Sequence, residues 1–295
     1  MDINAEKAWT ITTGSKEVKI AVIDTGVDYQ HEDLKENIMI NESEFNGQEG
    51  VDDDGNGYID DIYGHDFANN DNDPMDGHGH GTHCAGVIGA THNDIGIRGV
   101  MSKVEILPIQ FLTASGQGTL EGAIKAIDYA TSRGVNIMSN SWGGGEPSKA
   151  LTEAIAKAEK AGILFVAAAG NSNSNNDIKP TAPANTQINN VISVGAMDGK
   201  AKRASFSNYG EKTVHVFAPG VNIYSTVQNN KYKKMSGTSM ACPFIAGVAG
   251  LIMTNEPNLT YNEDKSRIMA HAKEGNKLKE YSVSGFVDSF QSLEH

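Results

Sequence analysis

The chain has 295 residues, 39% of them hydrophobic, with 32 glycines against 8 prolines and a formal net charge of −13. That composition excludes a disordered chain and suits an enzyme rich in tight turns, while the absence of a basic stripe argues against nucleic acid as a partner. No apolar run approaches the roughly 20 residues that cross a bilayer, and no basic-then-apolar leader opens the chain, so no membrane partner is expected. In chain order, residues 18–23 read as a buried strand that delivers Asp24 at its end. Residues 36–79 form a long connection with little periodicity. The acidity is concentrated there: between 36 and 97 there are 14 Asp and Glu and no Lys or Arg, whereas the rest of the chain holds 24 basic and 23 acidic residues. An apolar helix over 83–90 and a strand over 104–111 come next. Leu120, Ile124, Ile127 and Ala130 then lie at helical spacing over 120–132, followed by a strand at 135–138. Ser148 opens a helix over 150–161 that ends at Gly162, and a strand at 163–168 leads to a polar loop, 171–177. A strand at 191–194 and an apolar helix at 241–253, with Gly247 and Gly250 permitting close packing, complete the pattern.

Strands alternating with helices predict an α/β fold with a central, mostly parallel sheet and helices on both faces. No linker or repeat divides the chain, so 1–292 is expected to form one domain. Leu293, Glu294 and His295 resemble an expression-tag junction, and Met1 the start that goes with it. In a parallel sheet the reactive groups gather outside the carboxyl ends of the strands, and both Asp24 and Asn171 follow strands.

Three separated motifs carry the chemistry: Val22-Ile-Asp24-Thr-Gly26, Gly79-His80-Gly-Thr-His83 and Gly237-Thr-Ser239-Met-Ala-Cys-Pro243. A serine hydroxyl is a weak nucleophile until a neighbouring base takes its proton, and that base needs a carboxylate to fix its tautomer. Alone, an Asp after a strand is a turn former and a Ser before a helix is a cap. Together, in the order Asp, His, Ser, the segments resemble the subtilisin-like serine proteases, with a style close to thermitase-like members. The likeness extends over about 7–293.

The resemblance implies a three-layer subtilisin-like fold and a serine endopeptidase acting through an acyl-enzyme. Asp24, His80 and Ser239 would form the triad, with Asn171, in Ala167-Ala-Ala-Gly-Asn171, and the Ser239 N–H as oxyanion donors. Gly116, Gln117 and Gly118 on one side and Ser141, Trp142 and Gly143 on the other would pair with an extended peptide. Ala168, Ala169 and Gly170 would line the cleft beside them. Leu120 and Trp142 would receive the fourth substrate residue before the cut, and Thr181 would shorten the primary pocket. Polypeptide substrates, a pro-segment acting as inhibitor and folding aid, a monomeric state and an extracellular or secreted setting also follow from the resemblance, an intracellular setting being the alternative.

Two or three structural Ca²⁺ sites are expected. Asp33, Asn93 and the carbonyls of Thr91, Ile95 and Ile97 resemble one site of the family, and Asp66, Asp71 and the carbonyls near Asp73 and Met75 resemble another. Asp52, Asp54, Asn56, Asp60 and Asp61 follow the first half of an EF-hand loop, with Gly57 at the sixth position but Tyr63 at the twelfth. Two rival readings remain: a catalytically inactive binding relative, and a metallo-hydrolase using His78, His80 and His83 as zinc ligands. Cys84 and Cys242 read as buried thiols packed like small hydrophobes, and their closeness to the triad predicts sensitivity to mercurials.

Overall fold

The computed structural model describes residues 3–294. Seven strands, β1 (Gly14–Asp24), β2 (His65–Asp66), β3 (Lys103–Gln110), β4 (Ile137–Asn140), β5 (Leu164–Ala168), β6 (Val191–Met197) and β7 (Val216–Pro219), form one sheet in the order β2-β3-β1-β4-β5-β6-β7. Every neighbouring pair in it is parallel. A separate antiparallel hairpin joins β8 (Ile223–Val227) to β9 (Lys231–Met235). The helices are α1 (Ala5–Ala8), α2 (Glu42–Phe45), α3 (His80–Gly89), α4 (Leu120–Ser132), α5 (Lys149–Lys160), α6 (Thr238–Asn255) and α7 (Tyr261–Ala270).

The two-residue period of a strand sorts the side chains into two cores. Ile20 and Val22 of β1 face Ile245, Val248 and Leu251 of α6 and Ile88 of α3. Their neighbours Ala21 and Ile23 face the opposite way, toward Ala126 and Ile127 of α4 and Leu151 and Ile155 of α5. Helices thus cover both faces, and the expected α/β, mostly parallel architecture is what the chain adopts.

Differences from the sequence reading lie where apolar signal is weak. The start of β1 runs back to Gly14 through residues that are half-exposed or exposed. Neither β7 nor the β8–β9 hairpin was anticipated, the latter because β9 reads Lys-Tyr-Lys-Lys-Met. The first turn of α7 carries a Thr260–Glu263 capping box, a Thr-x-x-Glu signal that would have located it. Leu293, set aside with the tag junction, is buried among the residues packed against α6 and joined to Phe290 by a backbone hydrogen bond. Met1 and His295 lie outside the described residues.

Candidate active site

Asp24 ends β1 with no exposed area. Its Oδ1 accepts the Thr25 N–H at 2.8 Å and lies 2.7 Å from His80 Nδ1. His80 is the first residue of α3, three residues earlier than the sequence suggested, because Gly79 precedes it in the left-handed region at φ 99°. The next turn presses on the β1 end so closely that a Cβ on Gly81 would sit 2.0 Å from the Gly26 carbonyl oxygen. Asp76, which the sequence reading missed, holds this approach together. Its Oδ1 accepts from the His78 and Gly79 N–H groups and the Thr25 hydroxyl, and its Oδ2 from the N–H and hydroxyl of Thr82. An acid two to three residues ahead of a glycine-led helix start is the signal that could have revealed it. Burial alone would lower the His80 pKa; the charge of Asp24 and its hydrogen bond outweigh that and leave it raised above the ordinary value.

Ser239 is the second residue of α6. Its Oγ donates to the Ser141 carbonyl at 3.0 Å, so among the described residues the hydroxyl rests there and not on His80. Four residues on stands Pro243, inside the helix, which has no N–H to give the Ser239 carbonyl. That orphaned acceptor is taken instead by the Ser141 hydroxyl at 2.8 Å and the Cys84 thiol at 3.4 Å. The same thiol sulfur lies within 4.8 Å of ligand atoms of both Asp24 and His80, which brings the three motifs to one place.

Asn171 follows β5, as the switch to loop after a parallel strand requires. Its Oδ1 accepts from the N–H and the hydroxyl of Thr238, at 2.8 and 3.0 Å. That fixes which end of the amide faces out, leaving Nδ2 donated to no described residue. The Ser239 N–H, at the start of α6, likewise has no described acceptor. A side chain placed on Gly237 would stand 3.6 Å from both nitrogens, so two free donors flank one small open space.

A cleft of about 1190 Å³ contains His80, Asn171 and Ser239 and is lined by Gly116, Gln117, Gly118, Leu120, Ser141, Trp142, Gly143, Ala168, Gly170 and Thr181. Ala169 is the exception: it is buried, and its carbonyl is used by Asn176 and Asn208. Gly118 and Gly143 have no described backbone partner, which leaves two peptide edges facing the cleft. Trp142 packs edge-on against Phe111 at 4.9 Å. The Thr181 methyl faces Gly143, 3.9 Å from where a Cβ there would lie.

The acidic segments behave differently from one another. Asp33 is buried and touched only by neutral partners, the Asn93 amide, the Ile97 N–H, Thr91 and Tyr232, so its charge is uncompensated among the described residues, which suits a cation. The Ile97 N–H donates to Asp33 and the Ile95 N–H to the Asn93 oxygen, which folds the 93–97 turn around the carboxylate. In the second set Asp66 and Asp71 face each other across an antiparallel bridge, each backbone N–H donating to the other's carbonyl. Asp66 caps Ala68 and Asn69, Asp71 caps Asp73, and Asp73 caps Met75 and accepts from Tyr29. In the third, Asp52 and Asp54 come together with Glu44, their ligand atoms within 4.8 Å of one another. Glu44 was absent from the sequence reading because it arrives from α2, eight residues upstream. Asn56 joins this group through Asp54, while Asp61 is paired to Arg133 at 2.9 Å and Asp60 turns away to the Gly50 N–H.

One sequence expectation falls here, and another gains a condition. His83 is held by the carbonyls of Ile223 and Lys233, at 2.9 and 3.1 Å, and does not gather with His78 and His80, so among the described residues no three-histidine metal site forms. The thiols are close to Ser239, yet neither has exposed area, and burial raises Cys84 well above the ordinary thiol range and Cys242 to about 11. Buried protonated thiols react only on local opening, so mercurial sensitivity would report access to this site.

The model of the Subtilase family matches residues 15–286. Subtilisin DY of Bacillus licheniformis is 36% identical over 92% of this chain and 89% of its own. Thermitase of Thermoactinomyces vulgaris is 39% identical over 85% of this chain and 79% of its own. Subtilisin-like protease 1 of Plasmodium berghei is 37% identical over 97% of this chain, which spans 51% of the length of that relative. The crystal structure of a cold adapted subtilisin-like serine proteinase superposes with a TM-score of 0.79 at 32% identity, covering 95% of this chain and 91% of that one. With the Asp24–His80 pair and Ser239 at the mouth of one cleft on such a sheet, the chain belongs to the subtilase family.

Proposed function

We propose that the protein is a serine endopeptidase of broad specificity with Asp24, His80 and Ser239 as its triad. The observation that carries this is the pair of unengaged donors, Asn171 Nδ2 and the Ser239 N–H, facing one space beside a hydroxyl, with the buried Asp24–His80 pair behind it. On substrate binding the Ser239 hydroxyl turns from the Ser141 carbonyl to His80 Nε2. His80 takes its proton as Oγ attacks the scissile carbonyl, and Asp24 stabilises the imidazolium while holding Nδ1–H. The oxyanion is received by Asn171 and the Ser239 N–H, already aimed and costing no reorganisation. His80 then protonates the leaving amine. Water, deprotonated by the same ring, releases the acyl group from Ser239. Turning the hydroxyl also frees the Ser141 carbonyl to accept a substrate N–H, so the contact that parks the nucleophile becomes a binding contact.

The free edges at Gly118 and Gly143 extend the sheet logic to the substrate, which would be held as an added strand and read mainly by its backbone. Leu120 and Trp142 offer apolar contact for the fourth residue before the cut, and Thr181 favours smaller side chains in the primary pocket. Calcium fits Asp33 with Asn93 and Thr91, and Glu44 with Asp52, Asp54 and Asn56. When bound it supplies charge neutralisation and loop fixation, not chemistry. An extracellular, calcium-rich setting, a monomeric state and a pro-segment as inhibitor belong to the same proposal.

A fluorophosphonate probe tests it. Labelling confined to Ser239, with peptide hydrolysis falling by about 10⁶ in Ser239→Ala, is expected. A wild-type protein that neither labels nor cleaves would be a binding relative.

A further inference from the structure

The Ser239 carbonyl is an acceptor that α6 cannot satisfy with its own ladder, because Pro243 stands four residues on. What fills that place comes from the two elements that build the rest of the site. Ser141 lies one residue past β4, and Cys84 lies one helical turn after His80 on α3. Both are buried, and both reach the same oxygen, the hydroxyl at 2.8 Å and the thiol at 3.4 Å. Two neutral donors use both lone pairs of that carbonyl. Burial keeps the Cys84 thiol protonated, so it stays a donor throughout the neutral range.

Ser141 engages the nucleophile twice, in opposite senses. Its hydroxyl donates to the Ser239 carbonyl, and its own carbonyl accepts the Ser239 hydroxyl at 3.0 Å. These two bonds have different fates when Ser239 attacks. The Ser239 hydroxyl must leave the Ser141 carbonyl for His80, and from then on that bond restrains nothing. The bond from the Ser141 hydroxyl is untouched by the turn, so it can hold the Ser239 backbone, and the Ser239 N–H with it, while the side chain swings. Cys84 adds a second tether from the helix that begins with His80, joining the element that carries the base to the one that carries the nucleophile. On the other side of Ser239 the chain is already held, since Asn171 Oδ1 accepts from the Thr238 N–H and hydroxyl.

We infer that Ser141, through its hydroxyl, and Cys84, through its thiol, are positioning residues that fix the Ser239 backbone while its hydroxyl passes to His80, a role that rests on the peptidase reading above. Ser141→Ala keeps the backbone carbonyl, so kcat is expected to fall about three- to tenfold with KM within about twofold, and Cys84→Ala to cost less. Ser141→Cys restores most of the loss, since a thiol already serves the same oxygen from Cys84. Pro243→Ala gives the helix an N–H for that carbonyl, so adding Ser141→Ala to it costs less than about twofold. Ser239–Met240 is the only Ser-Met pair in the sequence, so carbonyl-labelled serine with amide-labelled methionine gives a single NMR cross-peak for the Ser239 carbonyl. That peak moves upfield in Ser141→Ala and returns in Ser141→Ala/Pro243→Ala. With an active wild type, an unmoved peak, an unchanged kcat, a loss confined to KM, no rescue by Ser141→Cys, or an equal loss in the Pro243→Ala background would each overturn the positioning role alone. An inactive wild type would remove the peptidase reading and this role with it.

Discussion

Two regions meet at the active site and are held by different physics. The α6 side is apolar: Ile245, Ala246, Val248, Ala249, Leu251 and Ile252 have no exposed area, and the helix crosses the sheet beneath Ser239. The acidic connection before His80 has little regular structure, and its carboxylates cap backbone N–H groups over short range, as Glu44 does for Asp53, Asp54 and Asp60. Burial of apolar area stabilises the first whatever the solution contains. In the second, clustered charge is tolerable only with a counter-charge. The acidic region is therefore the one expected to respond to the ionic content of the solution.

That contrast can be broken in several ways. The largest effect is expected from Ile245→Ala, which opens a cavity beneath the nucleophile and costs about 2–5 kcal/mol, equally with and without chelator; a chelator-dependent loss in a urea titration would erase the distinction. Next, Asn171→Ala lowers kcat by about 10²–10³, as for an oxyanion donor in a related enzyme, with the melting temperature unmoved; a pure KM effect would reassign it to binding. Removing calcium lowers the melting temperature by roughly 5–10 °C, the size of a ligand present at 100 to 1,000 times its Kd, and Glu44→Gln abolishes part of that response. An identical chelator response in Glu44→Gln would exclude that cluster as a site.

The last test is in pH. Burial holds His83 at about 4 and His215 at about 3, and the latter ring accepts the Ser193 N–H, a bond that protonation would break. Below about 6.5 the unfolded chain binds these protons and the folded one does not, so stability falls by up to about 1.4 kcal/mol per pH unit for each ring down to the folded pKa. His80 acts oppositely, its raised pKa favouring the fold below about 6.5 and losing that contribution as pH rises through the folded value. The urea midpoint at pH 5 is thus expected below that at pH 7, and less so in His215→Asn; a flat profile would refute the assignment.

What the sequence revealed follows the same divide. The sheet was readable because parallel strands are apolar on both faces, and the catalytic segments because close approach demands glycines at 79 and 81 beside a fixed residue type. Asp76 and Glu44 were not, since what distinguishes them from neighbouring acids is which N–H groups they meet. The resting hydroxyl on Ser141 and the inward turn of Ala169 are likewise matters of local geometry invisible to residue type.

Pro243 ties the geometry at Ser239 to the packing around α6. Because the helix cannot hold the Ser239 carbonyl by its own ladder, a hydroxyl from the end of β4 and a thiol from α3 must arrive to do so. An α6 formed in isolation would carry its serine on an unfinished turn. The local geometry at Ser239 is in this way completed only by tertiary contacts from the end of β4 and from α3.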